Sequence, residues 1–173
     1  MNLIEDSNFI NPILGEKIDN LFLKEKVIFE LSSSTVNPGD GGYHFVHHIK
    51  GDEDKWTYLK DIAMEILNSF CNKNNIIISR IFRCAINITF NNGKVYKCPV
   101  HTDHEFNHKQ LLIYLNDNHY GDTVILKDNK PLHIVNPKKF KGILFDSLPH
   151  YHYFPIAGIR IVIVYTFLIK NEV

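Results

Sequence analysis

Several protein classes are argued against by what this chain has little of. Its 173 residues include only three cysteines, Cys71, Cys84 and Cys98, odd in number and without Cys-x-x-Cys spacing. That argues against a disulfide framework and for a reducing interior. Charge of one sign is also missing: nineteen basic residues balance nineteen acidic ones. No long-range attraction for nucleic acid or an anionic membrane follows from such a balance. Long hydrophobic runs are absent too. The strongest, "IRIVIVYTFLI" at 159–169, contains an arginine and falls well short of the ~18 apolar residues of a membrane span. The opening residues, "MNLIEDSNFI", are polar and show no apolar leader core. A cytoplasmic protein is expected.

What is present reads as one globular domain over 1–173, with 45% hydrophobic and 22% charged residues. "NPILGEKIDNLFLKE" places Leu14, Ile18, Leu21 and Phe22 at helical spacing, with Asn11 as cap and Pro12 in the first turn. "SSSTVNPGDGGYH", residues 32–44, is dense in Ser, Gly, Pro and Asp and reads as a loop. "DKWTYLKDIAMEILNSF" then puts Trp56, Leu59, Ile62, Ile66 and Phe70 on one helical face. Beyond residue 76 the period becomes two. "IIISRIFRCAINITF" reads as one long strand or a bent pair, and "NNG" at 91–93 as a hairpin turn. Shorter β runs are expected at 95–102, 110–116, 123–127, 132–135, 141–146 and 159–169. Helical support over about 10–75 followed by a β core over about 76–170 argues for an antiparallel sandwich or barrel backed by helices, a mainly β, α+β class.

Three features carry possible chemistry. In "VHTDHEF", His101 and Asp103 are two residues apart, so on a strand they project to one face and can take adjacent corners of a metal's coordination sphere. The last strand is apolar on both faces, so Arg160, which opens it, is drawn towards a core. An arginine so placed either snorkels out at the barrel rim or takes an anionic partner, an internal carboxylate or a ligand's. His150 and His152 stand just upstream, and one further imidazole would complete a two-histidine, one-carboxylate set of the kind that holds non-haem Fe(II).

Four separated elements, taken in order and spacing, resemble the Fe(II)/2-oxoglutarate-dependent dioxygenases, nearest the prolyl 4-hydroxylase-like branch of phage and bacterial type. They are His101-Thr102-Asp103, the strand "LLIYLND" with Tyr114, "GILFDSLPH" ending in His150, and Arg160, and they span about 80–169. The resemblance implies a double-stranded β-helix, a jelly-roll or cupin-like barrel with supporting N-terminal helices. It implies that His101, Asp103 and His150 bind Fe(II), and that Arg160 with Tyr114 receives the distal carboxylate of 2-oxoglutarate. Tyr96 matches a position near the cosubstrate. The implied reaction uses O2, releases succinate and CO2, and hydroxylates a small molecule or peptide side chain. In the family a proline commonly follows the second histidine by four or five residues. Pro155 lies five after His150 and three after His152. His152 therefore stands as the alternative third ligand, since strand parity does not separate the two.

Other residues have weaker claims. Asn87 and Arg83 share a strand face and are candidates for cosubstrate or substrate contact. His44, His47 and His48, in "YHFVHH", follow the loop and are expected at a solvated surface or over the substrate. His104 and His108 are expected at the solvent-facing rim, and His119 and His133 in or beside turns. Two competing readings are a cupin-like protein binding zinc or nickel without oxygen chemistry and a non-catalytic β-sandwich binding module.

Overall fold

The first helix starts where the residue types require. The Asn11 side-chain oxygen accepts the Leu14 N–H at 2.9 Å, and Pro12, lacking an N–H, costs nothing in a first turn. Helix α1 spans Pro12–Lys24 and buries Leu14, Ile18 and Leu21. The computed structural model describes residues 3–24, 26–51, 55–91, 93 and 95–170; the side chains of 22–24, including Phe22, lie outside that description. Helix α2 spans Lys60–Lys73 and buries Ala63, Ile66, Leu67, Phe70 and Cys71. Trp56 and Leu59 precede it: Trp56 is bridged to Lys50 instead of opening the helix.

Ten strands complete the described structure: β1 (Ile4–Asp6), β2 (Glu30–Ser32), β3 (His44–Lys50), β4 (Ile78–Phe90), β5 (Lys109–Tyr114), β6 (Thr123–Lys127), β7 (Lys130–Val135), β8 (Gly142–Asp146), β9 (His150–His152) and β10 (Ile159–Ile169). They form a seven-stranded sheet, β1-β8-β5-β10-β4-β3-β2, and a three-stranded sheet, β7-β6-β9. Every strand pairing is antiparallel. This is a double-stranded β-helix with helices on one face.

β10 lies at the centre and is buried on both sides, as its composition requires. Ile163, Tyr165 and Phe167 face the helices, in a core with Leu67, Phe70 and Leu111. Val162 and Val164 face the small sheet, in a second core with Leu112, Tyr114, Ile125 and Phe145. The Tyr165 hydroxyl donates to the Ala63 carbonyl at 2.8 Å, tying the sheet to α2. Gly142 in β8 leaves room for the Phe70 ring, since a Cβ there would stand 2.7 Å from Phe70 Cε2. Burying a ring such as Phe70 contributes about 3 kcal/mol.

The structure departs from the sequence expectations in three places. The expected helical half also supplies β1, β2 and β3, which extend the large sheet at both edges. β3 is the stretch expected at a solvated surface or over the substrate; it buries Val46 and Ile49, three residues apart, with a register shift between His48 and Lys50. The expected strand 95–102 is irregular, forming isolated bridges at Lys97–Tyr153 and His101–His150 in place of a continuous ladder. Pro99 removes one ladder donor there. The expected hairpin at 91–93 includes Asn92, outside the described residues; β4 pairs with β3 and β10, not with the chain that follows it.

Candidate active site

A cavity of about 620 Å³, counted to the solvent at its mouth, lies between the two sheets. His101, Asp103 and His150 line it together, with one ligand-capable atom from each lying within 4.8 Å of the others. Backbone pairing sets this up. His101 N–H donates to the His150 carbonyl at 3.0 Å and His150 N–H returns the bond at 2.9 Å, so the rings stand side by side with centroids 4.4 Å apart. Each Nδ1 lies 3.0 Å from a carbonyl two residues back, Pro99 for His101 and Leu148 for His150. A ring that donates from Nδ1 keeps the Nε2 lone pair for a metal. Asp103 Oδ1 lies 3.7 Å from His101 Nε2, and Asp103 Oδ2 is buried without a hydrogen-bond partner.

This donor set fits a divalent cation. Two imidazole nitrogens and a carboxylate suit Fe(II), and ligands at about 2.1 Å from one ion stand roughly 3 Å apart at adjacent corners, so small side-chain movements close the set. Burial, and then the neighbouring His101, push the His150 imidazole down to about 4, which keeps it neutral and able to ligate. Gln110 sits beside it, 1% exposed, with its Nε2 3.2 Å from His150 Nε2 and its Oε1 without a partner. A metal on His150 takes the lone pair that this amide now caps.

Arg160 occupies another part of the cavity and is 4% exposed. Its Nε donates to the Gly121 carbonyl and its NH2 to Thr123 Oγ1, both at 2.9 Å. The guanidinium carbon lies 5.3 Å over the Tyr114 ring. The Tyr114 hydroxyl donates to Thr123 Oγ1 at 2.7 Å, so Thr123 accepts twice and its own proton is free to be donated. Gly121 permits the arrangement, because a Cβ there would stand 2.9 Å from Arg160 Cδ. Among the described residues, no carboxylate lies within ion-pair distance of Arg160. Burial disfavours its charged form, yet a guanidinium stays protonated in proteins. A buried cation without its counter-charge is costly, and an anionic ligand relieves that cost.

Part of the remaining wall is polar and unsatisfied. His44 Nδ1, Asn87 Oδ1, Thr89 Oγ1 and His152 Nε2 are buried without partners, and all four residues line this cavity. Thr89 stands opposite Arg160 in the β4–β10 register. His152 also faces the cavity, but its Nδ1 lies 3.2 Å from Cys98 Sγ and it pairs across to Thr123, so it stands outside the cluster of three. Burial, with Arg160 next, holds its imidazole well below the usual histidine range.

Of the residues singled out in the sequence, His101, Asp103, His150, His152, Arg160, Arg83, Asn87 and His44 all line the cavity. Tyr114 lies beneath Arg160, fully buried. Tyr96 does not join them: it is 71% exposed and stacks on Tyr153 outside the cavity. His108 is buried, not at the solvent-facing rim, and His104 bonds Thr166 Oγ1 at 2.8 Å. His47 bridges the Ile28 carbonyl and Thr57 Oγ1. His119 and His133 are exposed. Sequence reasoning missed Gln110, Thr89, Gly121 and Thr123. Inward alternation on a strand was the one available signal, and it pointed to Thr89 through Asn87.

No protein-family model matches the chain, and no curated protein matches it. Solved structures do. An oxidoreductase of the 2OG-Fe(II) oxygenase family from Burkholderia pseudomallei superposes with TM-score 0.72 at 19% identity, over 95% of this chain and 84% of that one. A viral collagen prolyl hydroxylase from Paramecium bursaria Chlorella virus-1, solved with 2OG, gives 0.63 at 14%, over 96% and 95%. A Trichoplax adhaerens prolyl hydroxylase, solved with a peptide of hypoxia inducible factor, gives 0.62 at 19%, over 98% and 84%. The fold is therefore that of the 2-oxoglutarate-Fe(II) oxygenases, prolyl hydroxylases among them.

Proposed function

We propose that this chain is an Fe(II)- and 2-oxoglutarate-dependent oxygenase that hydroxylates a small molecule or peptide side chain. One observation carries the reading: the cavity that gathers His101, Asp103 and His150 also holds a buried Arg160 that, among the described residues, has no carboxylate at ion-pair distance. A cupin-like zinc or nickel protein gives that arginine no task, and a plain binding module explains neither feature.

In this reading His101, Asp103 and His150 hold Fe(II), leaving coordination positions for cosubstrate and O2. With these bound, the chemistry supplied is oxidative decarboxylation of 2-oxoglutarate to succinate and CO2, coupled to hydroxylation of a substrate C–H bond. The chain's own task is positioning. Arg160 offers charge-assisted donors to the distal carboxylate, Thr123 adds its hydroxyl proton, and Tyr114 orients Thr123 from below. Thr89 Oγ1, opposite Arg160, supplies a further donor. Val162, Val164 and Leu112 line the cavity as its apolar wall and limit water there.

The test is anaerobic titration with Fe(II) and 2-oxoglutarate, read by the weak visible charge-transfer band of the chelate. The band is expected in wild type, absent in Asp103→Ala, and displaced to much higher 2-oxoglutarate concentration in Arg160→Ala. Metal binding without the band would favour the cupin-like reading, and no metal binding by folded protein would leave the binding module.

A further inference from the structure

We infer that Arg83 is the anchor for a carboxylate carried by the substrate; the inference rests on the oxygenase reading above. Arg83, Ala85, Asn87 and Thr89 alternate along β4 onto one face, and all but Ala85 line the cavity. This row maps the cavity from end to end. Thr89 stands opposite Arg160, whereas Arg83 stands opposite Thr166. Six residues of strand separate the two by about 20 Å. The two guanidinium groups also keep different company: Arg160 lies against Gly121 and Thr123, whereas Arg83 lies against Asp103.

Charge then decides what Arg83 meets. Asp103 is the one carboxylate among the lining residues, against two arginines. Its Oδ1 lies 3.8 Å from Arg83 NH1, an ion-pair distance too long for a hydrogen bond. Among the described residues the Arg83 guanidinium has no hydrogen-bond partner, and its side chain is 25% exposed. Once a divalent metal occupies the triad, Asp103 and one carboxylate of 2-oxoglutarate match the metal's two charges. The other carboxylate matches Arg160, and the charge on Arg83 is left over. A monoanion cancels it; a phosphate dianion would not be neutralised by a single arginine. A planar carboxylate also matches the guanidinium fork. The orphaned Asn87 Oδ1, on the same face of β4 as Arg83, accepts a donor from the same substrate.

The test uses full-length protein saturated anaerobically with Fe(II) and 2-oxoglutarate, so that Arg160 is occupied. It is titrated calorimetrically with N-acetylglycine, with neutral N-acetylglycinamide, and with N-acetylaspartate N-methylamide, whose carboxylate is on a peptide-like side chain. At least one carboxylate is expected to bind about tenfold or more tightly than the amide. The stronger of the two identifies a free acid or a peptide-borne one. Arg83→Met is expected to abolish the preference and Arg83→Lys to retain most of it, with 2-oxoglutarate affinity unchanged in both. Equal binding of acid and amide, no binding of either acid, or a preference that survives Arg83→Met overturns the assignment. Failure of wild type to bind 2-oxoglutarate is a separate outcome that removes the oxygenase reading itself.

Discussion

Replacing Gly121 with alanine adds one methyl group that touches neither the proposed metal nor its ligands, yet it is expected to cripple cosubstrate binding. The new Cβ would stand 2.9 Å from Arg160 Cδ, 3.5 Å from Arg160 Cγ and 3.3 Å from Pro137 Cγ. Carbon atoms settle at about 3.5–4.0 Å, so the arginine stem must retreat by roughly 0.7 Å. Its two bonds, to Gly121 O and Thr123 Oγ1, are both 2.9 Å. A retreat of that size carries them to about 3.5 Å, where they are nearly lost. A hydrogen bond from a charged group contributes about 1.5–3 kcal/mol. Losing the alignment of one such bond to 2-oxoglutarate raises its dissociation constant roughly 10- to 100-fold. The assay is the 2-oxoglutarate titration of the charge-transfer band, with metal affinity measured separately and expected to hold. Gly51→Ala is the control, because a Cβ there meets nothing within 4 Å. If Gly121→Ala binds 2-oxoglutarate like wild type, Arg160 is not the rigid anchor described here.

Gly142→Ala drives a methyl group into the Phe70 ring at 2.7 Å and towards Phe9 Cε1 at 3.1 Å. A loss of about 1–3 kcal/mol is expected, visible as a melting point lower by several degrees, with 2-oxoglutarate binding retained by the folded fraction. Asp40 is partly desolvated, which raises its pKa, but backbone N–H groups of Val36, Gly42, Thr35 and Asn37 outweigh this and hold it at about 2. Its contribution is complete above the unfolded value near 3.8 and disappears as pH falls towards 2. Thermal melts over that range should fall more steeply for wild type than for Asp40→Asn; parallel curves would refute the account. His150 at about 4 and His152, depressed further, are both buried neutral. The unfolded chain binds their protons first, so stability of the metal-free protein should fall as pH drops below 6.5, by roughly 1.4 kcal/mol per pH unit for each histidine. His152→Gln should flatten that slope in chemical denaturation at pH 5 to 7, and an unchanged slope would show that His152 does not titrate this way.

How much of this was legible beforehand depended on whether a residue acts along its own strand or across the sandwich. The helix around Leu14 and Ile18 and the two-sided burial of β10 follow from local period and residue type; His101 and Asp103 do come together, but through an isolated bridge and a bend, not through a strand's period. Strand β3 did not follow, because its buried residues, Val46 and Ile49, stand three apart across a register shift and show no two-residue period. His150 and His152 share parity, and only the counts to Pro155 and Arg160, read through the family resemblance, favoured His150. What separates them in the fold is partner choice: His150 exchanges backbone hydrogen bonds with His101, whereas His152 lies against Thr123 and Cys98. Arg160 is the sharper instance. Its position at the start of a buried strand demanded an anion, but the groups that aim it, Gly121 and Thr123, are 39 and 37 residues away, Thr123 on β6 of the small sheet. In sequence Gly121 reads as a turn residue and Thr123 as the first residue of a strand. Only the closing of one sheet over the other makes them a cradle. Tyr96 shows the converse: the family resemblance suggested a role near the cosubstrate, and an irregular segment turned its ring outwards onto Tyr153. Residues that carry charge or ligate a metal announce themselves by type. Those that position them are ordinary glycines, threonines and amides, and their role is visible only from the partner strand.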